Sequence, residues 1–550
     1  MNGQKHIINR QVLELTIPER GRAQPIQNKI SEIVKYKLQP ALDNLFSKLT
    51  TADEIVRIDK IVIDLGTISE KELEKVLVER SLKEIGDKIK RIKNADLTNV
   101  AVTPLTGDSI HTNGKDVTTT KSKDLLDRFV YFLQFGRFPW WHKSDKSSIK
   151  QGFSQLDEIF AEVLKLEKPV LKSSVIPLLS KSFVRKRLVF QFTHSQLDAL
   201  LKRIDSKLFE TFFSMFQVLR SSLKSTQNKN DLTESFYKIA LQYFSAEQEL
   251  KNDELKIGFV KDLLGIFLNK YSLKENEIIL IEILKSINKK IRKELPENSY
   301  QIVAAVVQLA MELRSQNQIL QEVILDILSK SNSKVQNIVE QHNLKSRESV
   351  KSKSTLKPNT TKGIKYNNEE KPFSPFPPKP PDDAEGIVVS NAGLVLIHPF
   401  LRYFFEGLGL LDKELQFKSQ QEVYKGIHLL QYVVSENNTT EETELPLNKI
   451  LCGLDITDPI PNRFPLSEEE KEECINLVKT ILERWEALKT ANPAALRETY
   501  LQREGVLKQS GQSWNLTIER NSFDVMLEKL PWSINMIKLP WLSQILYVEW

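Results

Sequence analysis

The chain has 550 residues, which is enough for two to four domains that each bury a core of their own. Hydrophobic residues make up 40% and charged residues 27%, as in an ordinary globular protein, and two cysteines are too few for a disulfide framework. The net charge of +6 is carried by residues 345–381, where nine basic side chains face three acidic ones. This confinement argues against a basic binding face and therefore against nucleic acid as a partner.

Residues 1–93 are predicted to form a small α/β domain in the order β-α-β-α. The first strand is indicated by apolar residues at every second position, namely Leu13, Leu15 and Ile17. A helix is expected from about Pro25, and Pro40 is expected to kink it.

The second predicted strand spans residues 54–68, and its apolar positions change phase along the way. Val56 and Ile58 lie at even positions, whereas Ile61, Ile63 and Leu65 lie at odd ones. One extra residue near Asp59 and Lys60 would restore a single buried face, so the pattern predicts a β-bulge there and pairing with the first strand.

The remainder divides by composition. Residues 94–122 are rich in Thr, Asn, Gly and Asp and are predicted to be a flexible linker, and residues 123–343 show helical apolar periodicity with short polar breaks. Residues 344–385 are predicted to be a second, disordered linker, basic in its first half and Pro-rich in its second. The fold class is therefore mostly α and multidomain.

Residues 386–550 are predicted to be a helix-dominated α+β domain. Ser467 and Glu470 form a capping box that opens a helix with Cys474 on its apolar face. Alternating residues 514–519 and 545–550 predict strands near the end.

The sequence shows no catalytic, cofactor-binding or metal-binding motif. It has no phosphate-binding loop, no dinucleotide fingerprint, no nucleophile elbow and no metal-ligand spacing among its seven histidines, so we expect neither an enzyme nor a cofactor. His398 is expected to be a core histidine with a satisfied ring. Neither a signal peptide nor a membrane-spanning helix is indicated.

Aromatic residues next to proline are the most distinctive feature. Proline fixes the backbone, so each tryptophan projects from a rigid turn. Two interpretations remain open, a plug in the core of its own domain or an anchor for a partner protein. The candidate docking residues are Phe138, Trp140, Trp141, Trp532 and Trp541.

Several segments together resemble the tape measure family of contractile injection systems. In the N-terminal half these are residues 6–15, 57–66 and the motif Phe138–Trp141. In the C-terminal domain they are residues 391–400, 428–432, 447–453, 496–505, 530–532 and 539–541.

The resemblance implies a structural protein that sets the length of the inner tube of a phage-tail-like particle from a bacterium. It implies the inner tube, the baseplate or spike, and end-cap proteins as partners. It also implies assembly in the cytoplasm, with the tube lumen as a later location. The alternative is a helical adaptor or chaperone-like docking protein of the same machine that measures nothing.

Overall fold

The computed structural model describes the following residues: 6, 8, 11–17, 20–51, 54–58, 61–98, 117–139, 155–245, 253–291, 299–312, 317–330 and 386–550. The fold is mostly α, which confirms the predicted class. The chain divides into two compact units. The first combines residues 1–166 with residues 379–550, and the second comprises residues 167–378.

The N-terminal part of the first unit is built from helices. They are α1 Ala23–Ile33, a π-helical turn Val34–Leu38, α2 Gln39–Leu49, α3 Leu73–Thr98, α4 Lys121–Phe135 and α5 Gln155–Lys165. The wider π turn lies directly before Pro40, which has no N–H to continue the regular pattern. The helices bury a core that joins α1 to α3, with the residues Ile30, Ile33, Leu73 and Leu77.

Of the two strands predicted in residues 1–93, the first is not formed in the described residues and the second is shorter than predicted. Residues 11–17 are assigned to no strand, and Leu15 is half exposed. The second strand is shorter than predicted: β1 is Glu54–Arg57, and residues 61–68 belong to no strand. The predicted bulge at Asp59 and Lys60 lies outside the described residues.

Strand β1 pairs with a segment that composition assigned to the first linker. Its antiparallel partner is β2, Val117–Thr120, with Glu54 opposite Thr120. The Thr120 hydroxyl then caps α4 by accepting the N–H of Lys123 at 3.3 Å. A run of β-branched residues fits this role, because such side chains favour extended backbone.

The second unit is an array of packed helices, as expected from the helical periodicity. They are α6 Lys168–Leu179, α7 Ser182–Gln191, α8 His194–Ser222, α9 Thr226–Tyr243, α10 Asp253–Leu268, α11 Leu273–Ile291, α12 Ser299–Glu312 and α13 Gln318–Lys330. Phe212 of α8 and Phe259 of α10 stack with ring centroids 3.9 Å apart, and Phe236 of α9 packs edge-on against Phe259. Helices α8, α9 and α10 therefore share one aromatic core.

The C-terminal part of the first unit is an α+β fold, as predicted. Its helices are α14 His398–Gly407, α15 Gln420–Ser435, α16 Pro446–Leu451, α17 Glu468–Arg484 and α18 Pro493–Leu496. Its strands are β3 Ile387–Val389, β4 Gly505–Ser510, β5 Ser513–Ile518, β6 Met536–Ile537 and β7 Ile545–Glu549.

These strands form one sheet in the order β3-β4-β5-β7-β6, with β5 and β7 parallel and the other pairs antiparallel. Both predicted strands near the end of the chain are confirmed. The capping box is confirmed too: the Ser467 hydroxyl accepts the Glu470 N–H at 3.2 Å, and the Glu470 carboxylate accepts the Ser467 N–H at 2.8 Å.

Candidate functional site

Trp541 is part of the core of the C-terminal domain. Its side chain is only 8% exposed, and its indole N–H donates to the carbonyl of Leu451 at 2.8 Å. Phe405 and Phe417 pack against the ring with centroid distances of 5.5 and 5.4 Å. These contacts support the core interpretation for Trp541, because little of the ring is left for a partner.

Trp532 lies nearer the surface. Its indole N–H donates to the carbonyl of Leu396 at 3.0 Å, and its ring meets Phe400 edge to face at 5.1 Å. Both aromatic side chains are half-buried, while Pro531 beside them is exposed. Trp532 is therefore held in a fixed position with part of its ring open to a partner.

The third docking candidate follows the end of α4. Gly136 adopts a left-handed conformation there, with φ +68°, and its N–H donates to the carbonyl of Phe132 at 2.8 Å. This end turns the chain so that the half-buried Phe138 packs back on Phe132, with ring centroids 6.0 Å apart. Trp140 and Trp141 lie outside the described residues.

An apolar surface that the sequence reasoning missed lies on the 3-10 helix Ser522–Lys529. Asp524 anchors this helix from inside, because both of its carboxylate oxygens accept from the Arg503 guanidinium, at 2.6 and 3.0 Å. The Trp550 indole N–H also donates to Asp524, at 3.1 Å. The ion pair is buried, so the backbone here is held by strong hydrogen bonds away from water.

Two further hydrogen bonds fix the same backbone. The Tyr500 hydroxyl donates to the carbonyl of Phe523 at 2.9 Å, and the Trp485 indole N–H donates to that of Met526 at 3.3 Å. The side chains of Phe523 and Val525 nevertheless point outward, 62% and 61% exposed, and Met526 is exposed beside them. We call residues 523–526 the apolar ridge.

The ridge combines a rigid backbone with exposed apolar side chains, an arrangement suited to docking a protein. Little backbone freedom remains to be lost on binding, which favours affinity. Nearby Glu519, Arg520, Glu528 and Lys529 are exposed and balance in charge, so the surface has no preference for a charged partner. The capping pattern Asn521-x-x-Asp524 was the available sequence signal, since it marks a helix start whose intervening residue, Phe523, faces away.

Two buried clusters of polar side chains hold α16, the helix whose Leu451 carbonyl binds Trp541. The ammonium of Lys449 donates to the Glu442 carboxylate at 2.7 Å, and both side chains are buried. The amide of Asn391 donates to the side chains of Asn448 at 2.7 Å and Gln431 at 3.0 Å. Such buried contacts require specific partners and therefore favour one arrangement of the domain.

The titratable groups of this domain serve structure in the same way. His398 is half-buried, so it is not the core histidine expected from the sequence. One of its ring nitrogens bonds the Val395 carbonyl at 2.9 Å, and partial burial lowers the pKa of the ring. Cys452 and Cys474 are buried free thiols, and burial raises the pKa of Cys474 to about 12, so neither is a reactive thiolate.

Within the described ranges, no group of His, Cys, Asp and Glu side chains could hold a metal ion. Among the helices described there, none is both long and apolar enough to cross a bilayer.

Comparison with known proteins yields one match. The family model described as contractile injection system tape measure protein matches residues 5–550. No curated protein and no solved structure matches the chain significantly.

Proposed function

The chain belongs to the contractile injection system tape measure protein family, and we propose that residues 94–385 set the length of the particle's inner tube while both ends act as anchors. The observation that carries the proposal is the family match over nearly the whole chain. It supports a structural role in assembly, and we propose no catalytic activity for the chain.

The helices of the second unit are packed together, so this unit must extend if it is to set the length of a tube. As one continuous helix, residues 167–378 would extend roughly 320 Å. A compact unit of that size has a radius of gyration on the order of 17 Å. Helix α8 has 29 residues but is broken by a kink at Asp205. The longest unbroken helix described in this unit, α11, has 19 residues and spans only about 28 Å. The proposal therefore includes separation of these helices along the tube axis as the tube polymerises around them.

The folded ends are the proposed anchors. We assign docking on the inner tube, baseplate, spike or end-cap proteins to the apolar ridge and to the open side of Trp532, which rigid backbone holds in place. Phe138, with Trp140 and Trp141, is the corresponding candidate on the N-terminal side. Assembly would take place in the cytoplasm, and the tube lumen would be the later location.

A second function is favoured by one observation. The aromatic stack of Phe212 and Phe259 gives the second unit a core, and separating its helices would expose that core to water. A helical adaptor or chaperone-like protein of the same particle would keep this core intact and would measure nothing.

Particles formed without this chain distinguish the two functions. If the chain is the ruler, tubes made in its absence should vary widely in length, because nothing stops their growth at a fixed point. If it is an adaptor, fewer tubes should form but with the wild-type length. Electron microscopy measures both quantities, and mass spectrometry of purified wild-type particles establishes whether the chain is a component.

A further inference from the structure

The N-terminal segment 11–17 exposes apolar side chains that a folded chain normally covers. Val12 is 60% and Leu15 50% exposed, and Leu13 is exposed beside them. The structure assigns these residues to neither helix nor strand. Their alternation of apolar and polar residues is nevertheless typical of a β-strand, so the segment has the sequence of a strand without a neighbour.

The same unit contains a two-stranded sheet to which a further strand could be added. In the described part of the chain, β1 and β2 form a two-stranded sheet of four residue pairs. Two isolated strands are marginally stable in water and need a third strand or a packed helix. Here α3 and α4 contact β1 through Lys93 and Asp124, so the sheet is stable as it stands and an added strand would extend it. One edge of β1 pairs with β2, and no described strand pairs with the other edge. We call β1, together with the non-helical residues 61–65 that follow, the acceptor segment.

The acceptor segment continues the alternation beyond β1. Ile61, Ile63 and Leu65 are half-buried, whereas Val62 and Asp64 between them are exposed. This pattern gives residues 61–65 one face turned towards the protein, and within the described ranges no strand pairs with them. An added strand would find apolar side chains in register on that face.

We propose that residues 11–17 of one copy pair with the acceptor segment of a second copy, and that the exchange is reciprocal. Each chain contains both the donor strand and the acceptor, so two copies satisfy both at once around a two-fold axis. A different protein that added a strand to the acceptor would leave residues 11–17 uncovered. Pairing through main-chain hydrogen bonds at a sheet edge is a common mode of protein recognition.

Charge supports an apolar contact of this kind. The donor strand contains one charged residue, Glu14. The charged residues of β1 already have partners, because Glu54 accepts from Lys93 at 2.7 Å and Arg57 binds Asp124. The remaining charges, Glu14 of the donor strand and Asp64 of the acceptor segment, are both acidic and would repel a nucleic acid. The pairing concerns the purified protein and does not depend on the length-setting role.

Analytical ultracentrifugation of the full chain tests the mass. The chain has a mass of 63.4 kDa, and the expected species at micromolar concentration is the dimer of twice that mass. Leu13→Glu with Leu15→Glu should return the monomer and leave the helical circular dichroism unchanged, because both residues are exposed. Tyr36→Glu, at an exposed position of the same unit, is the matched control and should stay dimeric. A monomeric wild type, or a dimer that both variants leave intact, would overturn the proposal.

Cross-linking then locates the contact. Leu15→Cys copies are mixed with Ile63→Cys copies and treated with a short bis-maleimide linker, which tolerates a small shift of register. The native thiols of Cys452 and Cys474 are buried and should not react. The expected product is a covalent dimer in the mixture. A cross-link that forms only within one chain carrying both cysteines would refute the exchange, and so would the absence of any cross-link.

Discussion

Replacing Trp541 by alanine separates a core role from a docking role for this residue. The change deletes a ring that is buried between Phe405 and Phe417, and such a deletion costs about 3–5 kcal/mol. It also leaves the carbonyl of Leu451 without its donor, which costs about 1–3 kcal/mol if water does not enter. Because the two costs overlap, we expect the free energy of unfolding of the C-terminal domain to fall by about 4 kcal/mol.

Native-state hydrogen exchange measures this loss within the intact chain. A loss of about 4 kcal/mol corresponds to roughly a thousand-fold faster exchange of the slowest amides of residues 386–550. Trp541→Phe is the matched control. It keeps an aromatic ring and removes the hydrogen bond, so we expect about 1–2 kcal/mol and roughly tenfold faster exchange.

The opposite pattern would refute the reasoning. If Trp541→Ala changed exchange by less than about threefold and still prevented incorporation into particles, the ring would act on a partner and not on its own core.

Three other changes follow from the structure. Gly393→Ala should abolish folding of the C-terminal domain, because the added Cβ would lie 1.7 Å from the Tyr500 carbonyl oxygen; circular dichroism and soluble yield measure this. Phe523→Ser with Val525→Ser should lower incorporation into particles, measured by mass spectrometry, without changing the melting temperature; lower stability would instead mean that the ridge is structural. Burial and the nearby Glu441 charge raise the pKa of Glu444 from 4.5 to about 7, so ionisation opposes folding, and stability should fall by up to about 3 kcal/mol as pH rises from 4.5 to 7. Denaturation of Glu444→Gln across this range should show a flatter pH dependence, and an unchanged dependence would contradict the assignment.

Local signals predicted the C-terminal domain well. The capping box of Ser467 and Glu470 and the alternation near the end of the chain depend on neighbours a few residues away, and both appear in the structure. In the N-terminal domain the same alternation located β1 but predicted the wrong length and the wrong partner. Period-two spacing shows that a segment favours extended pairing, but it does not specify the partner. β1 pairs with Val117–Thr120, more than fifty residues away, in a segment whose composition indicated a linker.

The docking residues show the same limit. Pro531-Trp532 and Pro540-Trp541 are equivalent as local patterns. Only tertiary contacts explain why Trp532 is half-buried while Trp541 is buried. The apolar ridge was missed because its exposure depends on Arg503 and Asp524 meeting inside the domain. No sequence pattern around Arg503 or around Asp524 predicts that these two side chains meet.

The length-setting role is tested most directly by changing the number of residues in the middle of the chain. Residues 344–371 lie between the helix that ends at Lys330 and the strand that begins at Ile387, so changes there leave the described elements intact. Deleting these 28 residues should shorten the tube by about 42 Å if they measure as helix, or by about 92 Å if they are fully extended. Duplicating them should lengthen the tube equally. Replacing them with 28 Gly and Ser residues, which form no helix, should leave the length unchanged if the native residues are extended and should lengthen the tube by up to about 50 Å if they are helical. Electron microscopy of purified particles gives the length distributions. Proportional shifts are the predicted result, and tubes of wild-type length in both the deletion and the duplication would contradict the ruler.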